Sequence, residues 1–183
     1  MCVGPEDKCC ARSAGLQRPF PNTRRCSPPI ATRRALCFIG QCKLFTGAIE
    51  ETIPLLERAM RLSPHEPRVG IWCQQVGRAH LLQSRCEEAI AWFEKARNDS
   101  PAHPIIRAEL ASAYALNAEI ERAAVELAEA RRLSADDRFS SLARLRAFTY
   151  RGVVPKIRAL YEATFFVGLR LAGMPEELTG KGD

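Results

Sequence analysis

The sequence predicts an all-α fold: a right-handed α-solenoid of about three helical hairpins followed by C-terminal capping helices. Residues 70–103 hold two amphipathic helical patterns separated by a break at residues 83–85. Residues 104–137 repeat this pattern, and residues 33–66 repeat it less closely. A single hairpin of this kind cannot bury its apolar face alone, so neighbouring copies are expected to stack.

The central copy, residues 70–103, has small and large side chains where two packed helices need them. Gly77 and Ala89 are small enough to let the helices approach, and Phe93 fills the space beside them. Pro101 lacks an N–H and cannot continue the second helix. The complete set of matching positions is Val76, Gly77, Ala89, Phe93, Ala96 and Pro101. This order resembles the tetratricopeptide repeat (TPR), whose period is about 34 residues.

The two flanking copies keep the same positions to different degrees. In residues 104–137 they are Leu110, Ala111, Tyr114, Ala123, Leu127 and Ala130. In residues 33–66 they are Ile39, Gly40, Gly47, Leu56, Ala59 and Pro64. This first copy is weaker because Lys43 takes the large aromatic position and Pro54 lies inside the second helix, where its missing N–H predicts a kink.

Residues 138–172 are predicted to form the capping helices. Asp136 and Asp137 are expected to cap a helix that runs to Phe148, and Pro155 is expected to open the last helix. The apolar stripe of that last helix comprises Ile157, Leu160, Tyr161, Thr164, Phe165 and Gly168. Additional apolar residues, Phe166, Leu169 and Leu171, broaden the stripe, so this helix either covers the solenoid end alone or also meets a partner. The solenoid is thus predicted to span residues 33–175, with a polar tail at 176–183.

The positive charge is concentrated in the N-terminal segment. The chain has a net charge of +6, but residues 1–35 hold seven Lys or Arg and two Asp or Glu, which leaves the rest nearly neutral. A nucleic-acid-binding protein would need a basic stripe on its folded part, so no nucleic-acid partner is expected. No apolar run is long enough to cross a membrane, so no membrane partner is expected and a cytoplasmic protein is predicted.

Residues 1–32 form a leader rich in Cys, Arg and Pro without apolar periodicity. Two interpretations remain open: a metal or disulfide element, and a disordered or non-native leader. The second is favoured because Cys2, Cys9, Cys10 and Cys26 include no Cys-x-x-Cys pair and no histidine lies nearby.

Motifs of catalysis and of cofactor or metal binding are missing from the sequence. No GxxxxGK[ST] loop, GxGxxG turn or HExxH pair is present. The acidic pairs, such as Glu87 and Glu88, fall at helix starts, where the helix dipole accounts for them. We therefore predict no catalytic residues, no cofactor and no metal, and a protein that is not an enzyme.

Several longer stretches resemble a particular bacterial family. They are QCKLFTGAIEETIPLLERAMRLSP, HLLQSRCEEAIAWFEKAR, LASAYALNAEIERAAVELAEARRLSADDR and GLRLAGMPEE, within Ala35–Glu177. They are similar to the C-terminal TPR region of alphaproteobacterial class III adenylate/guanylate cyclase-like proteins. The cyclase domain of that family has no counterpart here. The resemblance therefore implies a regulatory region in signalling, without its catalytic domain.

Binding is expected on the concave face, which in TPR proteins is lined by the first helix of each hairpin. By carry-over, the partner-binding residues are Arg34, Gln41, Ile71, Gln74, Arg78, Ile105 and Ser112. We predict a protein–protein interaction module whose partner is a protein or peptide, including a cyclase domain or a second copy of the chain. Two alternatives remain: a C-terminal fragment of a class III adenylate cyclase in cAMP signalling, and a groove that packs only against the rest of its own protein.

Overall fold

The computed structural model describes residues 30–62 and 67–177, with the backbone alone for residues 30–34. Within these ranges every regular element is a helix. The side chains of the predicted leader, residues 1–32, lie outside the described residues, as do residues 63–66 at the end of the first predicted copy and residues 178–183 of the predicted tail.

Six consecutive helices form three hairpins, which confirms the predicted fold class. The helices are α1 (Ile30–Thr46), α2 (Ile49–Leu62), α3 (Val69–Leu82), α4 (Cys86–Asp99), α5 (Pro104–Leu116) and α6 (Ile120–Leu133). Each helix packs most extensively against its hairpin partner, and α2 and α4 also pack against the first helix of the next hairpin. Gly77 shows the expected close approach, since a Cβ added there would lie 2.8 Å from the ring of Phe93.

The C-terminal region folds back onto the hairpins. A 3-10 turn (Arg138–Ser140) leads into α7 (Leu142–Thr149), followed by α8 (Pro155–Tyr161), a π-helical turn (Glu162–Phe166) and α9 (Val167–Leu171). We refer to residues 155–171 as the C-terminal helix. It packs along α5 and touches α3. One continuous apolar core therefore includes residues from Leu44 in α1 to Met174.

The predicted cap of α7 is wrong. The Ser141 hydroxyl, rather than Asp136 or Asp137, accepts a hydrogen bond from the Arg144 N–H at 3.4 Å. The intervening 3-10 turn separates both aspartates from the helix start, and each pairs with an arginine instead.

The beginning of the predicted tail is fixed against α7, because the backbone carbonyls of Pro175 and Glu176 accept hydrogen bonds from the N–H groups of Leu142 and Ala143. The domain boundaries at 33, 175 and 176 remain a proposal.

None of the described helices combines the length and the apolar character needed to span a membrane.

His80, on α3, predicts a loss of stability in acid. Its Nδ1 is buried without a hydrogen-bond partner, and burial lowers the pKa of the imidazole. The charge of Arg85 also lowers this pKa, whereas the charges of Glu88 and Glu57 raise it more weakly than burial lowers it. A histidine whose pKa is lower in the folded state takes up its proton more readily when unfolded, so stability falls as pH drops below about 6.5. We expect His80→Phe to reduce this loss, measured as the free energy of unfolding between about pH 7 and pH 5. A wild-type pH dependence in the variant would assign the effect elsewhere, for example to His103.

Candidate functional site

The first helices of the three hairpins, α1, α3 and α5, share one face of the molecule, which we call the first-helix face. The structure distributes the predicted partner-binding residues over three different environments on this face. Gln41 and Ile71 line one open cavity, and Arg78 and Ile105 line another. Gln74 and Ser112 are buried. Arg34 lies in α1, but its side chain is outside the described residues.

The first cavity lies between α1 and α3 and has a volume of about 180 Å³. Its lining residues are Cys37, Phe38, Gln41, Arg68, Ile71, Trp72 and Gln75. Phe38 is 63% exposed, although a side chain of this type is usually withdrawn from water. Gln75 is only 6% exposed, and its Oε1 is buried without a hydrogen-bond partner. The cavity therefore has an exposed aromatic side chain in its lining, and an unsatisfied acceptor is buried in the side chain of Gln75, another lining residue.

The second cavity has a volume of about 300 Å³ and is bounded by α1, α3, α5, the end of α7 and the C-terminal helix. Its lining residues are Phe45, Arg78, Ile105, Glu109, Phe148, Thr149, Arg151, Tyr161 and Phe165. Phe148 and Arg151 are exposed at its rim. Most of its lining is apolar, so the cavity offers a place for an apolar side chain.

The two cavities follow one another along the seam between α1 and α3. Gln41 of the first cavity and Phe45 of the second are one helical turn apart on α1, and Gln75 and Arg78 are about one turn apart on α3. The two cavities are therefore neighbours along this seam, and we call the pair the first-helix groove. From Arg68 to Arg78, the groove follows α3 for about 15 Å.

A buried polar network lies beside the second cavity. Arg78 Nε donates to Glu109 Oε1 at 2.5 Å, and Gln74 Nε2 donates to Glu109 Oε2 at 2.8 Å. Burial raises the pKa of the Glu109 carboxyl above its usual range, and the charge of Arg78 with the hydrogen bonds from Gln74 and Arg78 opposes this shift. Gln74 therefore holds α3 to α5 and is not free to contact a partner.

The C-terminal helix occupies the α5 side of the first-helix face. The Ser112 hydroxyl donates to the carbonyl of Phe165 at 2.9 Å. A Cβ at Gly168 would collide with Ser112, including its backbone carbonyl, so glycine is required for this close approach. Ser112 is thus covered by the chain itself, which leaves the α1–α3 seam as the open part of the face.

Sequence reasoning missed several residues of the groove. Phe38, Trp72 and Gln75 neighbour the positions carried over from the repeat on α1 and α3, so only the orientation of each helix could have revealed them. Phe148 and Arg151 belong to the C-terminal region, and their place at the groove follows from the way that region folds back.

The described residues show no cluster typical of a metal site, and two of their cysteine thiols are shifted toward the protonated form. No group of three or more His, Cys, Asp or Glu residues is placed to hold a metal ion within these residues. Burial raises the pKa of the Cys73 and Cys86 thiols, which favours the protonated, unreactive form.

The solved structures that are similar to this chain include the following two. One is the type III secretion chaperone SycD of Yersinia enterocolitica in complex with a peptide of the translocator YopD, at 14% identity over 76% of this chain and 95% of that chain, with a TM-score of 0.54. The other is the Sgt2 TPR domain from Aspergillus fumigatus, at 16% identity over 86% of this chain and 95% of that chain, with a TM-score of 0.53. Likeness at this level shows the fold alone, and that fold is TPR-like.

No family model matches the chain, and no curated protein matches it. The comparisons therefore support the TPR-like fold and give no support to the resemblance to cyclase-like proteins.

Proposed function

We propose that this protein is an interaction module that binds a segment of another protein in the first-helix groove. The observation that carries the proposal is the groove itself, two neighbouring and largely apolar cavities along α1 and α3, with Phe38 exposed in the lining of the first. Exposed apolar side chains beside such cavities are typical of surfaces that bind protein segments.

Two further observations support this proposal. The groove leaves Phe38 63% exposed, and a bound segment would cover this side chain. Gln75 Oε1 lies buried behind the lining without a hydrogen-bond partner among the described residues. One of the solved structures similar in fold, SycD, is in complex with a peptide. A segment in either a helical or an extended conformation can follow the length of the groove.

The regulatory role implied by the resemblance to cyclase-like proteins predicts a different partner, a catalytic domain. No contact or cavity among the described residues favours that partner over another protein segment. A second copy of the chain remains a further candidate occupant, and the mass of the purified protein in solution would identify it.

The test of this proposal is Phe38→Asp, with Val125→Asp as the matched control. Phe38 is 63% exposed in the groove and Val125 is 69% exposed on α6, so neither substitution should alter the fold. A random library of peptides about 12 residues long, enough to span the groove, is selected against the wild-type protein. We expect the enriched peptides to bind Phe38→Asp at least about tenfold more weakly and Val125→Asp unchanged, measured by fluorescence anisotropy.

Two results would contradict the proposal. One is a selection that enriches no peptide. The other is a set of enriched peptides that bind Phe38→Asp as tightly as the wild type, which would place their site elsewhere.

A further inference from the structure

We propose that the segment bound in the first-helix groove carries an apolar core flanked by acidic residues at both ends. This inference rests on the proposed binding function and specifies the chemistry of its partner. It follows from the charges at the groove, from the acceptor buried behind its lining and from its length.

The charge that the groove presents is positive at both ends. Arg68 borders the first cavity and Arg151 borders the second, and both are exposed. Within the part of the chain that the structure describes, neither guanidinium forms an ion pair, whereas many other arginines do. The acidic residue of the lining, Glu109, is only 2% exposed and is already paired with Arg78. The free charge of the groove is therefore cationic.

The position of Arg68 is not explained by helix stability. Arg68 is the N-cap residue of α3, where the helix dipole disfavours a positive charge. Arg85 holds the same N-cap position in α4, but there Glu87 and Glu88 of the first turn compensate its charge, and Glu50 and Glu51 stand in the first turn of α2. At the start of α3, the compensating acid is Asp99 from α4, which accepts the Gly70 N–H at 2.9 Å and leaves Arg68 available to a partner.

The buried acceptor adds a requirement for a donor in the apolar core. Gln75 lines the first cavity, and its Oε1 is buried behind the lining without a partner among the described residues, which costs the unbound protein free energy. A rotation of the side-chain amide would bring Oε1 to the cavity, where a backbone N–H of the bound segment would donate to it. We therefore expect a hydrogen bond to this atom to favour binding, because the atom has no hydrogen-bond partner in the unbound protein.

The distance from Arg68 to Arg78 along α3 gives the scale for the spacing of the acidic residues. Arg68 and Arg78 are about 15 Å apart along α3, and Arg151 lies beside the second cavity. An extended chain covers this distance with about five residues, and a helix with about ten. Peptides with acidic groups separated by such an apolar core are the expected ligands.

The proposed acidic flanks are tested on the peptides enriched from the random library. We expect a consensus of apolar residues with Asp or Glu on both sides, and binding that weakens as the salt concentration rises from about 0.05 M to about 0.5 M. The double variant Arg68→Glu/Arg151→Glu should bind at least about tenfold more weakly. Arg58→Glu is the matched control, since Arg58 is exposed on α2 and borders neither cavity, and it should bind like the wild type.

The acceptor is tested with Gln75→Met. We expect an unchanged or raised melting temperature, because a buried unsatisfied group is removed, together with binding weakened by about threefold or more. A purely structural role of Gln75 would lower the melting temperature and leave the affinity unchanged, which would overturn this part of the inference.

The outcomes separate the inference from the proposed function. Enriched peptides that require Phe38 but show no acidic residues, or that ignore Arg68→Glu/Arg151→Glu, would overturn the acidic-flank inference and leave the binding function intact. Failure to enrich any peptide would overturn both.

Discussion

Replacing Arg78 by methionine is expected to lower the free energy of unfolding by about 3–5 kcal/mol. Arg78 and Gln74 together satisfy the carboxylate of Glu109, which is almost completely buried between α3 and α5. Methionine keeps an aliphatic stem of similar length but removes the cation. The carboxylate of Glu109 then remains in the interior with a neutral donor alone, and urea denaturation measures the loss.

The double variant Arg78→Met/Glu109→Gln is the control for this interpretation. A neutral amide at position 109 removes the buried charge, so most of the lost stability should return. If the double variant is no more stable than Arg78→Met, the buried carboxylate is not the cause of the loss.

The pH dependence of Arg78→Met provides a second readout. Burial already raises the pKa of Glu109 above its ordinary value, and removal of Arg78 is expected to raise it further. A carboxyl whose pKa is raised by folding stabilises the folded state below its unfolded pKa, and that contribution is lost as pH rises through the folded pKa. The difference in stability between Arg78→Met and the wild type should therefore shrink in acid.

The hydrogen bonds of Gln74 and Arg78 to Glu109 affect how an alanine scan of the groove is interpreted. By sequence position alone, alanine at Gln74 and Arg78 should weaken partner binding and leave the fold intact. The structure places both side chains on Glu109, so their loss is expected to destabilise the protein first. Exposed side chains such as Phe38 are the appropriate probes of binding.

The hairpins could be predicted from the sequence because their determinants are local. The contact of Gly77 with Phe93 joins residues of one hairpin, and Pro104 starts α5 through the missing N–H of its own backbone. Such features repeat with the period of the fold, so three copies reinforce one another. The all-α solenoid follows from them without knowledge of distant contacts.

The open part of the groove could not be predicted in the same way, because it depends on contacts between distant parts of the chain. Ser112 has the sequence position of a groove residue, but Phe165 and Gly168, more than fifty residues later, cover it. Arg151 reaches the groove for the same reason. Repeat periodicity carries no information about where a non-repeating C-terminal region packs, so these residues are revealed only by the fold.

The C-terminal helix is expected to be an integral part of the core, and Phe166→Ala tests this with a loss of about 3–5 kcal/mol in the free energy of unfolding. Phe166 is fully buried, with its ring centroid 5.1 Å from that of Phe165 and 5.6 Å from that of Tyr150. The consecutive residues Phe165 and Phe166 lie in the π-helical turn, and both are buried. The broad apolar stripe of this helix is thus largely covered by the chain itself.

Leu171→Ala is the matched control, because Leu171 belongs to the same helix but is 51% exposed, and a change within about 0.5 kcal/mol is expected.

The alternative is that the C-terminal helix is a removable lid over the first-helix face, and this alternative predicts a different result for Phe166→Ala. If the C-terminal helix were such a lid, Phe166→Ala would release it, raise the affinity for groove-binding peptides and cost the hairpins little stability. If the helix is integral, Phe166→Ala lowers the free energy of unfolding, because α5 loses the surface that buries Ser112 and its neighbours. The affinity for peptides then shows no gain. Denaturation and peptide binding, measured on the same two variants, therefore distinguish a structural helix from an autoinhibitory one.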